Sequence, residues 1–345
     1  MPVDCWMSAG FREKLRSEAG LSADEFLDRH DVDLRYIEGP TYVGPTLKRS
    51  PDGSEGDLWG VRRRTVQVRT MGGSEQYKEV VSSPLAHAAS VKEVHEYEGW
   101  PSADWFDYGP IEAQCDAVRE RGRVAVFMGD RLNRMAQLKP AMYLRGMEQI
   151  MVDLAQSPDL AHAIFENIRR FYCAYAERIF QAAGGKIDLL LTGDDFGSQN
   201  GPLLSPSMWE KFLGEGFAQY VGLAQSYGVK VVHHTCGSVR PIIPLMIERG
   251  LDVLQSLQPE AADMDPRTLK AEFGNRIAFH GGISIQRTLP FGSPEQVREE
   301  VRDRIEALAP GGGYILCTSH NIQSDATLEN VEALLRAYKE CGRYA

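Results

Sequence analysis

The sequence has few cysteines, no long apolar run and no excess of positive charge. Six cysteines in 345 residues fall far below the density of a secreted disulfide framework, so we expect free thiols in a reducing compartment. The formal net charge of −10 excludes nucleic acid as the expected main partner, because phosphate binding needs clustered Lys and Arg. No stretch approaches the length of apolar sequence that spans a membrane, so no membrane partner is expected.

The beginning of the chain also lacks the features of a targeting signal. The segment M-P-V-D-C-W-M-S-A-G has neither a basic stretch nor a continuous apolar stretch, so it does not predict a signal peptide. The expected location is the cytoplasm. The hydrophobic fraction of 43% and the charged fraction of 25% are typical of a soluble globular protein.

Short apolar runs recur along the chain and alternate with longer stretches of helical period. Alternating strands and helices predict βαβ units and a parallel sheet. Seven candidate strands in one chain favour a closed (β/α)₈ TIM barrel, with one strand missed, over an open α/β sheet. The candidate strands are 32–37, 124–128, 187–191, 229–232, 251–254, 277–279 and 314–316.

Residues 40–110 differ in character from the rest of the chain. This segment is rich in Gly, Ser, Pro and Trp, and its residues alternate between polar and apolar around positions 58–68. Such alternation predicts a hairpin. We therefore expect one domain over residues 1–345, in which 40–110 is an insertion or a lid.

Polar residues follow five of the predicted strands, in segments 192–199, 233–237, 255–258, 280–284 and 317–321. Because the carboxyl ends of parallel barrel strands form one rim, these residues should meet there and form an active site. His234 and Cys236 can supply two ligands to Zn²⁺, with a third from Cys317 or His320. The alternative interpretation is a buried histidine beside a small apolar cysteine.

Two further pairs stand at this rim. Asp194 and Asp195 can form an acid/base pair, and we expect Asp194 to face the cavity while Asp195 caps the following helix. Gly281 and Gly282 would let the backbone approach a ligand closely. A tight strand-to-helix turn explains the two glycines equally well.

Five rim motifs resemble the uroporphyrinogen decarboxylase superfamily, and the likeness covers roughly residues 120–342. That superfamily has a TIM barrel. It contains the cofactor-free decarboxylase of tetrapyrrole synthesis and a set of zinc methyltransferases that move a methyl group between a small substrate, a corrinoid protein and a thiol. The motifs are G-D-D-F-G-S-Q-N-G-P-L-L-S-P (193–206), H-H-T-C-G-S-V (233–239), D-V-L-Q-S-L-Q-P (252–259), H-G-G-I (280–283) and G-G-Y-I-L-C-T-S-H-N-I-Q (312–323).

The methyltransferase branch is the closer match. The decarboxylase would require an R-Q-A-G-R-Y type segment near the N-terminus and an F-S-D type strand end, and the chain has neither. The five rim segments also contain no arginine to hold a tetrapyrrole rich in carboxylates.

The resemblance implies zinc held by His234, Cys236 and a third residue. Alignment on the L-E-N-V of residues 328–331 places His320 at the family's third-ligand cysteine, and Cys317 lies three residues earlier. We favour Cys317, because a thiolate preserves the charge of the family's site; His320 is the alternative, and a variant without metal is a third. The implied partners are a small methylated substrate, such as a methoxylated aromatic in an O-demethylation, and a protein that carries a corrinoid (cobalamin).

The resemblance also implies roles for the remaining rim residues. A homodimer is one assembly that it allows. The rival function is a metal-free decarboxylase, or related lyase, that acts on a carboxylic acid. The expected roles are catalytic for Asp194, His233 and His280, cofactor-binding for Gly281, Gly282 and Asn321, and substrate-binding for Asp195, Gln199 and Gln255.

Overall fold

The computed structural model describes residues 1–129 and 134–344, and its centre is a curled parallel sheet of seven strands that lie side by side in the order of the chain. Each of the seven strands expected from the apolar runs is confirmed, and neighbouring strands pair in parallel. The strands of the chain are β1 (Leu34–Ile37), β2 (Thr41–Tyr42), β3 (Glu55–Gly56), β4 (Arg62–Thr70), β5 (Gly73–Ser82), β6 (Phe106–Asp107), β7 (Val124–Phe127), β8 (Leu189–Gly193), β9 (Lys230–His234), β10 (Val253–Leu257), β11 (Ala278–Ile283) and β12 (Tyr314–Thr318).

Helices follow the sheet strands and cover its outer surface, as the α/β pattern predicts. Many begin at Ser, Thr or Asp side chains that accept a backbone N–H of the first turn, which satisfies a donor the helix cannot use. The helices are α1 (Ala9–Ala19), α2 (Ala23–Arg29), α3 (Val91–His95), α4 (Ile111–Arg119), α5 (Leu138–Arg145), α6 (Met147–Gln156), α7 (Pro158–Ala183), α8 (Pro206–Trp209), α9 (Glu215–Ser226), α10 (Ile243–Glu248), α11 (Pro266–Phe273), α12 (Thr288–Phe291), α13 (Pro294–Leu308) and α14 (Leu328–Cys341). Across residues 1–129 and 134–344, none of them combines the length and apolar character needed to cross a membrane.

The N-terminal segment joins the two edges of the curled sheet. The backbone N–H of Asp4 donates to the carbonyl of Leu316 in β12, and the carbonyl of Val3 accepts the N–H groups of Asp33 and Leu34 at β1. Residues 2–4 therefore lie between the first and last strands, in the place of the strand that the apolar runs did not reveal. Their hydrogen bonds cover edges that would otherwise be left unpaired.

The interior of the sheet changes from apolar to polar toward the carboxyl ends of the strands. An apolar cluster fills the lower level, and residues two positions further along the strands are polar, because alternate residues of a strand face the same side. The apolar cluster contains Leu34, Val126, Leu191, Val232 and Val253, with Ala278 and Ile315 packed against it. The residues two positions on include Tyr36, His234, Gln255, His280 and Cys317.

The predicted hairpin in residues 40–110 is confirmed. Strands β4 and β5 pair in antiparallel fashion, and β3 extends them to a three-stranded sheet. Buried Glu75 ties this hairpin to both ends of the chain, since its Oε1 accepts the Ser8 hydroxyl at 2.7 Å and the Ser324 N–H at 2.9 Å. The movement of this segment as a lid stays a prediction.

A buried ion pair between two helices helps to attach the segment 40–110 to the helical layer. Arg145 donates through Nε to Asp153 at 2.6 Å, and both side chains are less than a tenth exposed. The guanidinium also donates to the carbonyls of Leu85 and Ala88. Removal of one partner would leave an uncompensated charge in a medium of low polarity.

We expect Asp153→Ala to destabilise the protein by about 3–5 kcal/mol, because it strands the Arg145 charge. The matched control is Glu166→Ala in the exposed pair with Arg170, for which we expect a loss of about 0.5 kcal/mol or less. Urea unfolding of both variants measures the difference. Equal losses in the free energy of unfolding for the two variants would show that the buried pair does not hold the segment 40–110 in place.

Candidate functional site

A cavity of about 690 Å³ opens at the carboxyl ends of the strands. Three parts of the chain form its walls: the N-terminal segment, the β4–β5 hairpin and the rim of the curled sheet. The residues that line it include Trp6, Ser8 and Arg12 from the first part, Arg63 and Glu75 from the second with Trp59 just before it, and Arg134, Asp195, His234, His320 and Asn321 from the third, together with Lys139 and Tyr143 of α5 and Tyr172 of α7.

His234, Cys236 and His320 come together beside this cavity, and the two histidines line it. One ligand atom from each lies within 4.8 Å of the others, and the Cys236 sulfur is 3.3 Å from Nε2 of His234. His234 ends β9 and points inward, two residues beyond Val232 of the apolar cluster. The two histidine rings meet edge to face, with centroids 5.3 Å apart.

Both histidines are oriented by carbonyl oxygens. Nδ1 of His234 lies 2.7 Å from Oε1 of Gln255, and Nδ1 of His320 contacts Oδ1 of Asn321. A carbonyl oxygen can only accept, so each Nδ1 carries the hydrogen and each Nε2 presents a lone pair. Gln255 and Asn321 thus fix the orientation and tautomer of the two rings, as hydrogen-bond partners of metal-binding histidines commonly do.

A bulge in β10 brings the His320 segment beside Cys236. Ser256 has a φ of +76°, a conformation that costs free energy in a residue other than glycine, and the strand register shifts at this point. Its hydroxyl donates to the carbonyl of Ser319 at 2.5 Å and lies 3.6 Å from the Cys236 sulfur. The bulge therefore holds the residues that follow β12 against the residues that follow β9.

The donor chemistry of this cluster fits a zinc ion. Burial holds the pKa of His234 well below its usual range, so the ring is neutral and can act as a ligand. Burial and the nearby Asp195 raise the pKa of Cys236 to about 12, so the thiol keeps its proton unless a cation displaces it. Two imidazoles and one thiolate are a set that suits Zn²⁺, with a fourth position left for a small molecule.

Cys317, the expected third ligand, lies elsewhere and does not join His234 and Cys236. It faces the interior from β12 and groups with Asp4 and His280, fully buried. His320 follows three residues later, where the chain has left the strand and reached the rim. The side chain that the L-E-N-V alignment placed at the third position is the one beside Cys236.

Asp194 was expected to face the cavity and Asp195 to cap a helix, and the structure shows the reverse. Asp194 is buried and accepts the backbone N–H groups of Gln137, Leu138 and Lys139 at 2.6–2.7 Å, so it caps the start of α5. Burial raises its pKa to about 6 despite these three donors. Asp195 instead lines the cavity, which contradicts its expected role as a cap.

Asp195 lies between Lys139 and the group formed by His234, Cys236 and His320. One oxygen pairs with Nζ of Lys139, and the other lies 3.6 Å from Nε2 of His234 and 3.3 Å from the N–H of Cys236. Burial alone would raise the pKa of Asp195, but the positive charge of Lys139 and the hydrogen bonds from Lys139 and the Cys236 N–H outweigh it and hold the pKa well below its usual range. The carboxylate therefore stays ionised and is a poor place to store a proton.

His233 and His280 do not reach the cavity, contrary to expectation. His233 faces the helices because it alternates with His234: its Nδ1 lies 2.8 Å from the Thr192 hydroxyl and its ring stacks on Phe196. Burial lowers its pKa to about 3, so it is neutral. His280 is buried in the interior, 2.9 Å from Asp4.

Four other expected site residues also lie outside the cavity wall, and one of them, Gln255, is buried and contacts His234 instead of lining the cavity. Gln199 is exposed on the loop after β8. Gly281 and Gly282 are buried within β11 at φ values of +114° and +102°, and a side chain at Gly281 would press on the backbone of Leu257 and Thr318. The glycines therefore permit close strand packing within β11, and they form neither the expected ligand contact nor the alternative strand-to-helix turn.

Several cavity residues escaped the sequence analysis. Lys139 and Arg134 follow β7, a strand end that was not among the five rim segments, and their position after an apolar run was a usable signal. Trp6 contacts both His234 and His320, but no local pattern links residue 6 to the rim. The lining also includes Arg12 and Arg63, so the absence of arginine from the rim segments did not mean a cavity without arginine.

We expect Asp194→Asn and Asp195→Asn to differ sharply in stability. Loss of one acceptor oxygen at Asp194 leaves buried N–H groups without a partner, at about 1–3 kcal/mol. The Lys139–Asp195 pair is about a third exposed, so its loss should cost less than about 1 kcal/mol. Urea unfolding compares the two, and a larger loss for Asp195→Asn would contradict the assignment of Asp194 as the cap.

Comparisons with known proteins agree with this architecture. A solved structure described as a methyltransferase from Methanosarcina mazei superposes with a TM-score of 0.67 over 99% of this chain and 94% of its own, at 18% identity, which establishes similarity of fold. A methylated-thiol–coenzyme M methyltransferase from Methanosarcina mazei is 25% identical over 240 residues, or 65% of this chain and 60% of the relative. A uroporphyrinogen decarboxylase from Coxiella burnetii is 23% identical over 191 residues, or 53% of this chain and 48% of the relative.

The chain thus spans about three fifths and about half of the lengths of these two relatives. The family model described as uroporphyrinogen decarboxylase (URO-D) matches residues 134–341, which is more than half of the chain and includes the rim segments of the donor cluster. The chain belongs to the uroporphyrinogen decarboxylase (URO-D) family.

Proposed function

We propose that this protein is a zinc-assisted methyltransferase of the URO-D family, which moves a methyl group between a small methylated substrate and a corrinoid protein or a thiol. The observation that carries the proposal is the group of His234, Cys236 and His320 at the cavity, each with a ligand atom within 4.8 Å of the others. The relative named methylated-thiol–coenzyme M methyltransferase supports the same reaction class. A methoxylated aromatic is the methyl donor we favour.

His234, Cys236 and His320 would hold the zinc. When bound, zinc supplies a Lewis acid that polarises a methoxyl oxygen or lowers the pKa of a thiol. Gln255 and Asn321 keep the two imidazoles in the orientation that presents Nε2 to the site. The ionised Asp195 fixes the Cys236 backbone and balances the charge of Lys139.

The walls of the cavity suit a flat or aromatic methyl donor. Trp6, Trp59, Tyr143 and Tyr172 line it, and aromatic rings bury large apolar area with little loss of side-chain freedom. Arg134 lies over the Trp6 ring with its guanidinium carbon 5.3 Å from the centroid. In the demethylation direction a reduced corrinoid held by a partner protein would supply the nucleophile that accepts the methyl group, and the donor heteroatom would keep the bonding electrons.

A metal-free decarboxylase acting on a carboxylic acid is the second candidate. One observation favours it: Arg12 and Arg134 line the same cavity and can pair with substrate carboxylates, whereas the charge of Lys139 is balanced by Asp195. Arg63 also lines it, but its Nε donates to buried Asp57 at 2.6 Å, so its charge is already balanced. The decarboxylase predicts full activity after chelation of metals, whereas the methyltransferase predicts loss of activity.

The metal content of the purified protein tests the zinc assignment. We expect zinc at the cavity cluster to be lost in Cys236→Ala and in His320→Ala, because each removes one of three protein ligands. Elemental analysis measures the content, and circular dichroism checks that each variant folds. The matched control is Cys173→Ala, a half-buried cysteine in α7 far from the strand ends in sequence.

Zinc that persists unchanged in Cys236→Ala and His320→Ala would remove the basis for the zinc-assisted reaction. The methyl transfer itself is then assayed separately, with a panel of methoxylated aromatics and methyl thiols and with free reduced cobalamin as acceptor. Carbon dioxide release from carboxylic acids, unaffected by chelation, would favour the decarboxylase instead.

Gln255→Leu is expected to weaken zinc binding at the cavity about 10–100-fold, because the side chain no longer fixes the His234 ring. Zinc titration against a competing chelator measures the affinity. Gln199→Leu serves as the control, since Gln199 is exposed and away from the cavity wall. An affinity for Gln255→Leu equal to that of the wild type would mean that this hydrogen bond does not orient the ligand.

A further inference from the structure

A second group of metal-binding side chains lies in the interior of the sheet. Asp4, His280 and Cys317 each place a ligand atom within 4.8 Å of the others, and they are 2%, 1% and 1% exposed. Nε2 of His280 is 2.9 Å from Oδ2 of Asp4, and the hydroxyl of Tyr36 donates to the same oxygen at 2.6 Å. The methyltransferase mechanism uses none of these residues.

Two polar atoms of this group lack a partner. Oδ1 of Asp4 and Nδ1 of His280 are buried, and neither has a hydrogen-bond partner within the described ranges 1–129 and 134–344. Buried polar atoms in folded proteins are nearly always paired, and an unpaired one calls for an unseen water or ion. Two such atoms in adjacent side chains of one cluster point to a bound group.

We propose that Asp4, His280 and Cys317 form a second metal site, which takes a divalent transition metal such as Zn²⁺ and is separate from the cavity cluster. The donors are one carboxylate oxygen, one imidazole nitrogen and one thiolate sulfur, all of which bind Zn²⁺. The Tyr36 hydroxyl stands next to Asp4 as a further oxygen.

Charge balance agrees with this composition. A carboxylate and a thiolate together carry two negative charges, the imidazole is neutral, and a divalent ion makes the site neutral overall. Neutrality matters here because an unbalanced charge is very costly in a buried site. A monovalent or trivalent ion would leave a net charge in the interior.

The site is structural in kind, since its donors are shielded from solvent. Asp4 belongs to the N-terminal segment that bridges the sheet edges, His280 to β11 and Cys317 to β12. An ion held by all three would fasten the N-terminal segment to the last two strands. Closed sites of this kind contribute to folding stability.

The test uses the double variant His234→Ala/Cys236→Ala, which removes two donors of the cavity cluster and leaves the second group intact. The variant is refolded with zinc under reducing conditions, so that burial does not block entry, and freed of excess metal. We expect elemental analysis to find about one zinc per chain. Adding Cys317→Ala should abolish this zinc, whereas adding Cys5→Ala, a buried cysteine next to Asp4, should leave it in place.

Cobalt(II) in place of zinc provides a second readout on the double variant alone. Binding through Cys317 should produce thiolate-to-cobalt charge-transfer absorption, which decides the question even where Cys317→Ala fails to fold. A folded double variant that holds no zinc and shows no such absorption would overturn the proposal.

The two metal assignments fail independently. Zinc that is lost in His234→Ala/Cys236→Ala but retained in Cys317→Ala would leave the cavity site and reject the second one. Zinc that shows the reverse pattern would support the interior site and reject the zinc-assisted reaction.

Discussion

The alternation of side chains along parallel strands is the constraint on which this structure depends. Once Leu34, Val126, Leu191, Val232 and Val253 fill the lower interior, residues two positions further along must also face inward. His234, Gln255, His280 and Cys317 occupy this next level. Some polar side chains at this level remain buried in the interior, and others reach the cavity. They therefore form two separate groups.

The sorting depends on how far each residue stands from the end of its strand. His234 is the last residue of β9, and Cys236 and His320 follow their strands by two residues, so all three reach the rim. His280 and Cys317 lie inside β11 and β12 and remain below it. Asp4 joins the lower group only because the N-terminal segment bonds to β12. The fold thus places His234, Cys236 and His320 beside the cavity and Asp4, His280 and Cys317 in the shielded interior below them.

The sequence predicts the seven sheet strands because buried parallel strands are short apolar runs between helical stretches. It also contained the signal that separates His233 from His234, since alternation from Val232 sends only His234 inward. Asp194 and Asp195 could not be separated in this way. Both follow the strand end, where period two no longer applies, and the amides that Asp194 caps come from α5, more than fifty residues earlier.

Contacts between distant parts of the chain account for the other surprises. Glu75, Trp6 and Asp4 take part in the cavity or the interior through partners more than two hundred residues away. A pattern of neighbouring residues in the sequence cannot predict a contact between residues so far apart. Cys317 and His320 illustrate the same limit at short range, because a difference of three residues at a strand end decides which cluster each one joins.

The bridging N-terminal segment has a consequence for how the protein is made. Leu316 is synthesised long after residues 2–4, with which it pairs. The ammonium group of Met1 likewise donates to Gly342, 341 positions away in sequence. Contacts of such separation form late and slow the folding of a chain. The side of residues 2–4 that bonds to β12 therefore lacks its partner until that strand has been made, and an unpaired strand edge can pair with other chains.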